Sequence, residues 1–199
     1  ELVGLVHSLK IEGRLKSPEY VAATTRAYRK AVDETDPKFS QGDVLALQQV
    51  FSRGFSHSFF DGINHQVLVK GLSPKKRGVL LGEVSGVQNT VVTVKLEVPL
   101  KPGDGVVFDY GRPQDDEPGG RVLHIWKHGK RIDSAKEPGG VQFEVRECPP
   151  PKIGWKILKT DDPALNKSLR ATFEKTGARV PIDATVEEAS GKLRVTFHD

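Results

Sequence analysis

The stretch from Gly78 to Thr160 most constrains the fold. Short β-prone runs (Val79–Val84, Thr90–Val98, Gly105–Phe108, Arg121–Lys127, Lys130–Ile132, Gly140–Arg146 and Lys156–Lys159) alternate with turn-forming clusters. The turns are Gln88-Asn89, Lys101–Gly105, Glu117–Gly120, His128-Gly129 and Glu137–Gly140. Six or seven short strands at this spacing predict a small antiparallel β-barrel. The 20 glycines and 13 prolines among 199 residues suit such a turn-rich body.

The flanks read differently. Leu5, His7, Leu9 and Ile11 alternate with Val6, Ser8, Lys10 and Glu12, so the period of two predicts a strand over Val3–Ile11. Ser17-Pro18-Glu19 then reads as a helix start, with a capping hydroxyl, a proline in the first turn and an acid at the positive dipole end. Tyr20, Thr24, Ala27, Tyr28, Ala31 and Val32 carry the helix to about Glu34. Strand, turn and helix make half of a βα unit. A short helix is expected over Asp43–Phe51, and an ordered, aromatic connecting segment over Ser52–Arg77. Asp162-Pro163 opens a further helix with Leu165, Leu169 and Phe173 as its apolar stripe and Gly177 as its stop. Val180 to Phe197 alternates around Ser190-Gly191, a hairpin. The fold class expected is mixed α/β, mostly β. Its parts are residues 1–36 as the last βα unit of a TIM-like barrel, 37–78 as connection, 79–160 as the small β-barrel, and 161–199 as a helix plus β-hairpin opening a further domain. The chain has no Met, and its first strand and last hairpin lack partners, so a piece of a longer protein is expected.

Charge and cysteine narrow the function classes. The net charge of +4 is a mild surplus rather than a basic arm. Cys148 is the single cysteine, which excludes an internal disulfide and a CxxC zinc pattern and fits a cytoplasmic setting. No uncharged run is long enough to span a membrane, and no Gly-x-Ser-x-Gly elbow or phosphate loop occurs. In a strand, His124 and His128 sit about 13 Å apart, too far to share a metal ion.

Chemistry concentrates in Ser8–Arg14. Period-two geometry puts Lys10 and Glu12 on the face opposite Leu9 and Ile11, at the carboxyl end of the expected strand, where β/α barrels place active sites. Glu12 is the candidate acid/base, Lys10 tunes its charge, and Arg14 binds an anionic group. Arg53 and His57, among phenylalanines, form a second candidate substrate contact. Lys70, Lys75, Lys76 and Arg77, with Lys127, His128, Lys130 and Arg131, are a candidate patch for RNA or acidic peptide.

Ser8-Leu-Lys-Ile-Glu-Gly-Arg14, followed by Lys16-Ser17, Tyr20 and Tyr28-Arg29, resembles the motif near the end of the catalytic barrel of the collagenase-like peptidases. The similarity continues through Phe51–Ser56 and the Gly78–Thr160 barrel. The resemblance implies peptidase activity with the small barrel assisting substrate recognition. The alternative is an accessory region in RNA hydroxylation, or a purely structural joining module. It implies no cofactor within these residues, the family's Cys- and His-bearing signature and any metal ion lying upstream. Partners expected on this reading are a protein or peptide substrate, structured RNA, and a second copy through the upstream barrel, with no membrane.

Overall fold

The computed structural model describes residues 5–51, 55, 62, 77–112, 117–174 and 181–198. At its centre is an antiparallel sheet of β1 (Val79–Gln88), β2 (Val91–Leu96), β3 (Gly105–Asp109), β4 (Gly119–Lys127), β5 (Lys130–Ile132), β6 (Gly139–Val145) and β7 (Lys156–Asp161). The strand order is β3-β7-β1-β2-β6-β4-β5, and a further β3–β4 pairing closes the ring. Closure removes the unpaired edges that an open sheet presents, except at β5, which pairs with β4 alone. Register shifts at Leu80/Gly82, Val84/Gly86, Gly105/Val106 and Val122/His124 bend the strands to achieve it. Gly82 sits at one of these shifts with φ +148°, and a Cβ there would stand 2.4 Å from the Lys95 carbonyl oxygen.

Alternation sends one side chain of each pair inward. Leu81, Val84, Val92, Val94, Val106, Phe108, Ile125, Phe143 and Ile157 are each at most 1% exposed. The Phe108 and Phe143 rings stack across the interior with centroids 6.4 Å apart.

A helical layer lies beside the barrel: α1 (Pro18–Asp33), α2 (Gln41–Val50) and α3 (Pro163–Phe173). Each start has a sequence cause. Ser17 accepts from the Tyr20 N–H ahead of Pro18. Ser40 and Asp43 form a reciprocal capping box. The Asp162 carboxylate accepts from the Leu165 N–H ahead of Pro163. Ala23, Val50 and Leu169 make a small shared core, with Tyr20, Leu47 and Leu165 packed against it. The side of α1 that packs is thus that of Glu19, Tyr20 and Ala23. Tyr28 and Val32 of the expected stripe stay exposed.

Of the strand expected over Val3–Ile11, residues 3 and 4 lie outside the described residues. Residues 5–13 form no strand, and Leu5, Val6 and Leu9 are exposed. Period-two alternation supplies two faces but no ladder, and no described strand offers these N–H and C=O groups a partner. Of residues 1–36, expected to be a barrel βα unit, the described ones form the helix α1. The hairpin is present, as β8 (Asp183–Ala189) and β9 (Lys192–His198), turning at Ser190-Gly191 with both φ positive. Val186, Leu193, Val195 and Phe197 line one of its faces and are exposed.

Candidate nucleic-acid interface

The β4–β5 hairpin builds the most distinctive surface. His128 and Gly129 take φ of 51° and 72°, the backbone of a tight hairpin turn. That turn fixes the register: Lys127 opposite Lys130, Trp126 opposite Arg131, Ile125 opposite Ile132. Ile125 is fully buried and faces Phe143 across β4 and β6. With Ile125 pointing inward, alternation turns His124 and Trp126 outward. Their outward neighbours on β6 are Glu144 and Gln142, and Gln142 in turn lies opposite Thr93 on β2. The His124 and Trp126 rings meet edge to face, with centroids 5.7 Å apart. Trp126 is half-buried, whereas His128, Lys130 and Arg131 are exposed. The nearby acids are Asp133 and Glu144, and Glu144 accepts from the Thr90 hydroxyl at 3.0 Å.

The other half of the expected basic patch is not part of this surface. Lys70, Lys75 and Lys76 lie outside the described residues. Arg77 is engaged elsewhere, 2.5 Å from Asp109 and 3.0 Å from Glu117. Burial pushes the Glu117 carboxyl up. It pushes Asp109 up too, but the Gly111 N–H and Arg77 outweigh it and hold Asp109 below its ordinary range.

Lys10 and Glu12 form an ion pair at 2.8 Å, with side chains 86% and 70% exposed. The pair faces solvent, and residues 5–13 around it form no strand. Arg14 is exposed nearby. Arg53 and His57 lie outside the described residues. Cys148 is half-buried beside the Pro149 carbonyl, and burial pushes its thiol up, away from nucleophilic character. Among the described residues, no three His, Cys, Asp or Glu side chains gather as a metal site. Among them too, no helix is long and apolar enough to cross a membrane.

Sequence reasoning missed a buried charge cluster between barrel and helices. The Lys159 ammonium lies 2.7 Å from both Asp104 and Asp162 and 3.3 Å from the Pro99 carbonyl. Its side chain is 3% exposed, and that of Asp104 is 2% exposed. Gln49 of α2 donates to the Lys159 carbonyl at 3.1 Å. Burial pushes Asp104 up. Asp162 is pushed up by burial as well, but Lys159 and the Leu165 N–H hold it below its ordinary range. The ammonium has three protons and three acceptors, so the cluster clamps α2 and α3 to the barrel rather than offering a free amine. A signal existed: Lys159 is two residues from Ile157, on the strand's inward face. Two further cations near α1 and α3 are paired, Arg170 with Glu19 at 2.6 Å and Arg121 of β4 with Asp161. Arg170 holds the Glu19 carboxyl below its ordinary range. These pairs leave the β4–β5 surface as the strongest candidate.

Residues 2–70 match the model of peptidase family U32. The chain is similar to "tRNA hydroxylation protein P" of Haemophilus influenzae, 37% identical over 42% of this chain and 19% of that protein. It is similar to "tRNA hydroxylation protein P1" of Bacillus subtilis, 30% identical over 67% of this chain and 33% of that one. An "Uncharacterized protease" of Methanocaldococcus jannaschii is 34% identical over 54% of this chain and 29% of that protein. A solved C-terminal domain of a Geobacillus thermoleovorans "putative U32 peptidase" is 27% identical, with TM-score 0.36, covering 45% of this chain and 100% of that one. The chain thus spans at most a third of the length of these curated relatives. Over residues 2–70 the chain thus matches peptidase family U32, and beyond them it is similar to relatives named for tRNA hydroxylation and to one named as a protease.

Proposed function

We propose that this chain is the RNA-contacting region of a U32-family protein that acts in tRNA hydroxylation. The observation that carries the reading is the β4–β5 hairpin, which sets Lys127 opposite Lys130 and Arg131 beside Trp126 in a chain with relatives named for tRNA hydroxylation. Cations at a hairpin tip meet phosphates without burying the charge, and aromatic neighbours suit bases. The setting in this reading is the cytoplasm.

Binding to a folded tRNA tests it. Affinity is expected to fall steeply with salt, because each neutralised phosphate releases counterions. Lys127→Ala with Lys130→Ala is expected to weaken binding at every salt concentration and to reduce the log–log salt slope by about 2. Salt-insensitive binding, or none, overturns the reading.

A second reading is favoured by the relative named as a protease and by the exposed Lys10–Glu12 pair. In it the protein is a peptidase, the barrel helps recognise a peptide, and Glu12 serves as acid/base or ligand. Lys10 then tunes its charge, and Arg14 meets an anionic group.

A further inference from the structure

We infer that the outer face of β2, β6, β4 and β5 is a stacking platform for unpaired nucleotides, centred on Trp126; the inference rests on the RNA reading above. The pairing registers put Thr93, Gln142, Trp126 and Arg131 in one row across these strands. At about 4.8 Å between strands the row spans about 14 Å, room for two or three nucleotides.

The row's chemistry favours bases over backbone. An indole offers a π-face to any unpaired base. The Gln142 amide and Thr93 hydroxyl each donate and accept, as base edges require. Arg131, exposed at the β5 edge, suits a phosphate or a second stacked base. The floor beside the row is open, for a Cβ built at Gly140 meets nothing within 4 Å. A duplex would keep its bases stacked inside and leave the indole and amide without a role.

The barrel's stability does not call for this tryptophan. Its core is filled from inside by Ile125, Phe143 and their neighbours. His124 supports the indole edge-on, while its buried Nδ1 has no hydrogen-bond partner among the described residues. Keeping a polar ring there costs stability, which fits a ring retained to hold the indole for a ligand.

The experiment uses Trp126 as its own reporter. The sequence has two tryptophans, so Trp155→Phe leaves Trp126 alone. The chain is titrated with a short unpaired oligoribonucleotide, with a blunt RNA duplex of equal length, and with an acidic peptide. The unpaired RNA is expected to quench the indole and to bind more tightly than the duplex. Trp126→Leu is expected to weaken that binding about tenfold, with Trp126→Phe restoring most of it. Arg131→Ala, at an exposed position, is expected to weaken it as well, and this variant keeps the test open if Trp126→Leu fails to fold. Equal binding of both RNAs, with no quenching and a silent Trp126→Leu, overturns the platform while leaving the RNA reading intact. Binding of neither RNA overturns both. Quenching by the acidic peptide alone overturns both and favours the peptide reading.

Discussion

Replacing Lys159 with Met is expected to destabilise the fold by about 3–5 kcal/mol, the scale for removing one partner from a buried ion pair. The methylenes are largely kept and the ammonium is lost. Asp104 and Asp162 then face each other, each having stood 2.7 Å from the ammonium between them. Asp104 keeps the Lys101 N–H at 2.8 Å but no cation. Near 200 residues, such a loss lowers the melting temperature by roughly 6–20 °C. The pH dependence has a definite sign. Burial already pushes Asp104 up, and without the ammonium it rises further. A carboxyl whose folded pKa exceeds its unfolded one gains stability as pH falls through the folded value. The deficit of the variant should therefore shrink from pH 8 to pH 5. Thermal melts of both proteins at the two pH values measure it. A melting temperature within 2 °C of the parent's would refute the clamp role.

Phe143→Ala is the second large effect, about 3–5 kcal/mol by loss of transfer energy plus the cavity left behind. Phe143 is fully buried, pairs in register with Val92 on β2 and Ile125 on β4, and stacks on Phe108. Its ring therefore touches the interior from several sides of a closed barrel, which cannot collapse locally to fill the gap. Denaturant unfolding should show a lower midpoint with an unchanged slope, since the surface exposed on unfolding is nearly the same. A cost below 1 kcal/mol would contradict a closed, tightly packed barrel.

Much of the fold is legible in the sequence because its signals are local. Pro-Gly and Gly-Gly turns bound the barrel strands, and Ser17-Pro18 and Asp162-Pro163 each start a helix where capping chemistry predicts. Ser190-Gly191 turns a hairpin for the same reason. What the sequence hides is non-local. β7 pairs with both β1 and β3, strands far behind it in the chain, and no turn announces either pairing. The stretch Val3–Ile11 is the reverse case: its alternation is as clean as that of any barrel strand, yet its described residues, from Leu5 on, pair with no described strand, and its Lys10–Glu12 pair faces water. The candidate site divides the same way. Lys127, Lys130 and Arg131 announce themselves as a basic cluster. Trp126 joins Arg131 only when register sets the two opposite each other and Trp126 beside Gln142, while Lys127 and Lys130 fall on the other face of the hairpin tip. The Lys101–Gly105 turn reads as a turn, and it is one, but its Asp104 is also half of the buried clamp on Lys159.

The clamp and the core thus serve one end, a rigid barrel that holds the outer faces of β4 and β5 in fixed register. Whether the β4–β5 hairpin meets RNA is tested most directly by competition. Labelled tRNA bound to this chain is challenged with unlabelled tRNA and, separately, with unfolded peptides at equal mass concentration. The RNA reading predicts displacement by tRNA and none by the peptides, with the Lys127→Ala, Lys130→Ala chain failing to hold the label. Displacement by the peptides, or full retention of the label by that variant, would contradict it.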